Sequence, residues 1–153
     1  EFELANPVVG LQGSGTADAP FLILYMNATG RSNVTVSYNL RDVDSTTDNS
    51  VQPVALQYRT GGSGNFTNVP AGFVADASTG PSLATLVTPV SVSLPAWNSV
   101  ADLQFRIITN NAGGNDEWIG IDDITVTSVP EPASLSLVGL AGLMFAGLFR
   151  RRS

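Results

Sequence analysis

The residues best suited to chemistry in this chain are its carboxylates, and they gather in two places. Asp42, Asp44 and Asp48 follow an alternating apolar and polar stretch, and Asp116, Glu117, Asp122 and Asp123 flank Trp118. Hard oxygen donors of this kind suit calcium, which accepts carboxylates and loop carbonyls in irregular geometry. The first group lacks the acid at the twelfth loop position and the mid-loop glycine of an EF-hand, so its plainer reading is a set of solvated acids at a strand end. In the second group Asp116, Asp122 and Asp123 are the candidate metal ligands. As neighbours on a strand, Asp122 and Asp123 are expected to point to opposite faces. The inward one then needs hydrogen bonds or a cation to offset its desolvation, either by fastening the preceding glycine-rich loop or by holding calcium. Trp118 beside them, together with Trp97, offers a ring on which a sugar can stack, against the plainer reading that a tryptophan in an all-β domain belongs to the core.

Absent residue types remove most other chemistry. The chain has no Cys, no His and no Lys. A Ser-His-Asp triad, a Cys nucleophile, a Schiff-base lysine, a P-loop and a His- or Cys-ligated zinc site each need one of them. Carboxylate catalysis of glycoside hydrolysis needs two acids spaced about 5 to 10 Å apart across a sugar cleft, and no spacing here singles out such a pair. No catalytic residue is therefore assigned. Residues 1 to 128 hold four arginines against twelve acids, so this segment repels phosphate backbones and nucleic acid is excluded as a partner. Gly61-Gly62-Ser63-Gly64 lacks a following Gly-Lys-Ser/Thr and reads as a hairpin turn. The sequons at Asn27, Asn33 and Asn65 read as turns and strand ends in a chain rich in Asn and Thr.

The elements that position these acids come from a chain of 153 residues, enough for one compact domain and a short appendage. With 15 glycines, 9 prolines and only 13% charged residues, it suits short strands joined by many turns, and Pro70 to Pro81 reads as one such turn-rich segment. Val34 to Arg41, Val54 to Arg59 and Leu103 to Ile107 alternate apolar and polar residues as half-buried strands do. Phe21 to Tyr25 is an unbroken apolar run, read as a central strand covered on both faces; Val90 to Leu94 is a short alternating strand, and Phe2 and Leu4 hint at another. The parity of the last strand changes, since Ile119 and Ile121 share one face and Ile124 and Val126 the other. A bulge near Asp122-Asp123 accounts for that, as does a strand buried on both sides, and both readings stay open. The expected fold is all-β, an antiparallel jelly-roll-like β-sandwich over residues 1–128, followed by a C-terminal transmembrane helix.

The tail, residues 129–153, differs in kind. No charged residue lies between Pro132 and Phe149, and the run from Leu135 to Phe149 is interrupted only by Ser136, Gly139, Gly142 and Gly147. A bilayer core of about 30 Å calls for about 20 apolar residues, with a lower limit near 17, and this segment sits at that edge. It is apolar all round rather than striped, and it ends in Arg150, Arg151 and Arg152, which hold that end on the cytoplasmic side and leave the acidic body outside. Before the span, Pro130 and Pro132 around Glu131 keep the backbone extended, as a processing enzyme requires of a substrate.

Pro130-Glu131-Pro132, an apolar span and a basic end, in that order at the C-terminus, resemble the PEP-CTERM sorting signal of Gram-negative bacteria. The resemblance implies a membrane-embedded exosortase as partner, an exported precursor held in the inner membrane, and a final place at the cell surface or in a matrix of extracellular polysaccharide. The stretch from Asn115 to Ile124 resembles the closing strand of jelly-roll domains in exported bacterial proteins, including modules beside secreted nucleases of the endonuclease/exonuclease/phosphatase class. That likeness implies a fold and a secreted setting without an activity. The chain opens at Glu1 with neither a basic n-region nor an apolar h-region, so a secretory signal peptide is expected upstream and the N-terminus is expected to be incomplete. The resulting expectation is a non-catalytic surface protein. Its alternatives are a carbohydrate- or calcium-binding module and a detached accessory module of a larger secreted hydrolase.

Overall fold

The computed structural model describes residues 7–43, 50–78, 86–112 and 117–132. The hinted strand at Phe2 and Leu4, the acids Asp44, Asp48 and Asp116, and the expected span with Arg150, Arg151 and Arg152 lie outside these residues.

Alternation is the strongest local signal, and it builds the strands that carry the core. β3 runs over Arg31–Asp42, and its even-numbered side chains Val34, Val36, Tyr38 and Leu40 are buried while the odd ones face outward. β4 (Val54–Thr60) buries Val54 and Leu56, and β7 (Leu103–Thr109) buries Leu103, Phe105 and Ile107 by the same period of two. Around them lie β1 (Val9–Gln12), β2 (Phe21–Met26), β5 (Thr67–Val74), β6 (Val87–Ser93) and β8 (Trp118–Pro130).

The strands form two four-stranded antiparallel sheets, ordered β1-β8-β3-β6 and β2-β7-β4-β5. Their inner faces meet in one core, as in a β-sandwich. Between β6 and β7 a single 3-10 turn, Pro95–Trp97, pushes Trp97 into that core. Its ring stands edge-on to Phe105 at 4.7 Å and 77°, and to Tyr58 at 5.9 Å and 67°. Trp97 is fully buried and so is not a stacking surface for sugar. Tyr38 lies in the same core, where burial pushes its phenol above its usual range.

Two expectations are corrected here. β2 is not a central strand covered on both faces: among the described residues it pairs only with β7 and forms the sheet edge, with Phe21 half exposed and Tyr25 72% exposed. Its outward side chains are apolar, so an edge strand takes on the continuous apolar pattern of a buried one. Pro70 and Gly72, expected in a turn-rich segment, lie within β5. That strand is the opposite edge, where a missing N–H donor is tolerated. The glycine-rich segment from Gly61 to Gly64 does form the β4–β5 hairpin connection, with positive φ at Gly61, Gly62 and Gly64.

Candidate functional site

The acidic strand end is shaped by a bulge. β3 advances two residues from Ser37 to Asn39 while β8 advances three from Asp122 to Thr125, and Asp123 sits at φ 51°. The extra residue explains the parity change between Ile121 and Ile124. It also overturns the expectation that Asp122 and Asp123 point to opposite faces. Both carboxylates lie on the outer face: Arg41 Nε donates to Asp122 Oδ2 at 2.8 Å and Asn39 Nδ2 to Asp123 Oδ2 at 2.8 Å. The Asp123 N–H donates to Asp122 Oδ1 at 2.7 Å, which ties down the left-handed residue.

A second irregularity restores the register. β3 advances three residues from Ser32 to Thr35 while β8 advances two, and Asn33 also sits at φ 51°. The bulges offset one another, so the pairing resumes at Ser32 with Val129 and Arg31 with Pro130.

The acids at this strand end thus meet a guanidinium and an amide N–H. Among the described residues no three acidic side chains converge as a group able to hold a metal ion. Replacing Asp122 by Ala removes a charge-assisted bond to Arg41 and the bond that holds the bulge. The expected loss is about 2 kcal/mol in urea unfolding, with Asp122→Asn losing less. A loss below about 0.5 kcal/mol would show that the bulge is held by other contacts.

The inward carboxylate is Glu117, just before β8. It is fully buried, and its Oε1 accepts the Ser50 N–H at 2.9 Å. Asp42, expected among solvated acids, is buried at the end of β3. Close by, Asp76 Oδ1 accepts the N–H groups of Gln52 at 3.3 Å and Ser78 at 3.2 Å. The buried Gln52 amide donates to Thr109 Oγ1 and to the Asn110 carbonyl. These groups fasten loops at one end of the sandwich, and Gln52, Asp76 and Ser78 carry no sequence signal beyond being polar. Trp118 opens β8 half-buried, its carbonyl accepting the Val43 N–H at 3.4 Å.

Pro130-Glu131-Pro132 starts on the last residue paired in a sheet among the described residues. Pro130 ends β8 opposite Arg31, and the Glu131 N–H donates to the Gly30 carbonyl at 3.0 Å. Ser99, at φ 54°, donates its N–H to the Arg31 carbonyl at 2.9 Å and its hydroxyl to Glu131 Oε1 at 2.7 Å. Glu131 is thus held on both backbone and side chain while staying exposed, and Pro132 beside it is exposed too. The segment enters as an extended strand, in the form that pairs with a partner backbone. No helix among the described residues is long and apolar enough to cross a membrane.

Comparison with known proteins adds one match. Residues 128–152 fit the model of the PEP-CTERM protein-sorting motif, which spans Pro130-Glu131-Pro132, the apolar run and Arg150 to Arg152. No curated protein and no solved structure matches the chain. The motif supports a chain that exosortase sorts to the cell envelope by way of an exported, membrane-anchored precursor in a Gram-negative bacterium. Proteins that carry it are generally surface proteins rather than enzymes.

Proposed function

We propose that the chain is a non-catalytic surface protein, a jelly roll delivered to the cell surface or extracellular matrix by its own tail. The strand order β1-β8-β3-β6 and β2-β7-β4-β5 supports the jelly-roll reading, since the chain passes from sheet to sheet as two Greek keys do. One observation carries the sorting reading: the motif matched at residues 128–152 leaves the domain as a strand end with Glu131 and Pro132 exposed. In this reading the apolar run from Leu135 to Phe149 spans the inner membrane as a helix. The three arginines hold its end in the cytoplasm, and an exosortase-type enzyme engages Pro130-Glu131-Pro132 on the far side.

A host strain lacking its exosortase tests this. The chain is expected to accumulate in the inner membrane and to be missing from the surface and medium. Unchanged delivery in that strain would contradict the proposal.

A further inference from the structure

The sheet β2-β7-β4-β5 turns outward three cross-strand rows of side chains. Pairing sets Tyr25, Gln104 and Arg59 in the first row, Ile23, Arg106, Gln57 and Asn68 in the second, and Phe21, Ile108, Ala55 and Phe73 in the third. The two central strands carry the same triplet pattern, Gln57-Tyr58-Arg59 and Gln104-Phe105-Arg106. Antiparallel register places each glutamine opposite the other strand's arginine. Arg59 Nε donates to Gln104 Oε1 at 2.8 Å and Arg106 Nε to Gln57 Oε1 at 2.7 Å. The Phe66 ring lies 4.5 Å from the Arg59 guanidinium carbon and 4.1 Å from that of Arg106, and Phe21 lies 5.5 Å from the latter.

These contacts fix both guanidinia without neutralising them. No Asp or Glu occurs in β2, β4, β5 or β7, and neither arginine forms an ion pair among the described residues. Asp102, in the loop before β7, is engaged by Gln104 Nε2 at 3.4 Å. Of the five donors on each guanidinium, among the described residues Arg59 uses two, to Gln104 and to the Gly64 carbonyl, and Arg106 uses one. Partial desolvation, and then the neighbouring charge of Arg59, draw the Arg106 guanidinium below its usual range. An anion facing the pair would relieve that strain. In a body of twelve acids and four arginines, two adjacent unpaired cations on an acid-free face are a local inversion of sign.

We propose that this face binds an acidic polysaccharide, a polymer whose sugar rings carry carboxylates. The guanidinia supply planar, bidentate donors for the carboxylates. The exposed rings of Tyr25 and Phe21, and an apolar hollow of about 210 Å³ lined in part by Ala55, Phe73 and Ile108 of the Phe21 row, take the C–H faces of the sugars. The face lies along open strands, which suits an extended polymer crossing it. An acidic peptide offers the charge without rigid rings, and a neutral glycan the rings without the charge. The site goes beyond the sorting reading, and a binding assay in solution separates the two.

The test is affinity electrophoresis and titration calorimetry of the full chain in neutral detergent with polygalacturonate, beside dextran and poly-L-glutamate. Binding to polygalacturonate is expected to exceed that to either control and to weaken as salt rises. The double variant Arg59→Gln, Arg106→Gln is expected to lose about tenfold or more in affinity. Tyr25→Ala, at a 72% exposed position that leaves the fold intact, is expected to lose about threefold. Absence of binding to polygalacturonate, equal binding to poly-L-glutamate, or unchanged affinity in both folded variants would overturn the proposal.

Discussion

Replacing Pro130-Glu131-Pro132 by three alanines is expected to hold the chain in the inner membrane and to abolish its appearance at the surface, while leaving the sandwich folded. Within the matched segment Glu131 and Pro132 are exposed at the end of β8, where a processing enzyme can engage them. Its link to the fold is slight. The Glu131 N–H bond to the Gly30 carbonyl survives in alanine, and the bond lost from the Glu131 side chain, that from the Ser99 hydroxyl, is an exposed one. The expected change in unfolding free energy is below about 1 kcal/mol. Loss of surface delivery with a normal unfolding midpoint would separate recognition from folding. A variant delivered as well as the parent would remove the tripeptide from the sorting step.

Trp97→Ala carries the largest expected effect on stability. Trp97 is fully buried and wedges the Pro95–Trp97 turn between the two sheets against Phe105 and Tyr58. Truncation leaves a cavity that the strand backbones cannot close, at a cost of about 3 to 5 kcal/mol. Against a total of about 5 to 15 kcal/mol for a domain, that is a large share. The melting temperature should fall by roughly 10 to 20 °C, read by circular dichroism. Trp118, half-buried at the start of β8, is the control, and Trp118→Ala should cost less than about 2 kcal/mol. Equal losses at the two tryptophans would contradict the placement of Trp97 at the centre of the core.

What could be read from residues alone follows from how each signal arises. β3, β4 and β7 each have one face in the core and one facing outward, so their period of two survives in the sequence. β5 is hidden by Pro70 and Gly72, which read as a turn because edge position appears only once the sheet is assembled. β2 misleads in the opposite direction, its outward Phe21, Ile23 and Tyr25 being as apolar as its inward side chains. The bulge in β8 is legible as a parity change between Ile121 and Ile124. The side on which Asp122 and Asp123 emerge is not, because an inserted residue brings successive side chains to the same face.

The same contrast holds for the candidate sites. Arg59 and Arg106 appear in sequence as ordinary polar alternants of two strands. Their repeated Gln-x-Arg pattern gains meaning only when antiparallel register sets each glutamine against the other arginine. Glu117 takes the inward role expected of an aspartate because it precedes the strand and closes onto Ser50, a contact between residues 67 apart. The sorting motif at residues 128–152 is legible in the sequence, since it depends on residue type and order rather than on tertiary contacts.

The most direct measurement is the intact mass of the protein recovered from its native host, beside that of the triple-alanine variant. The account predicts that the native protein ends near Pro130-Glu131-Pro132, and that the variant keeps its tail through Arg150, Arg151 and Arg152 in the inner membrane. If both retain the full tail to Ser153, the segment is a plain membrane anchor, and processing by an exosortase is contradicted.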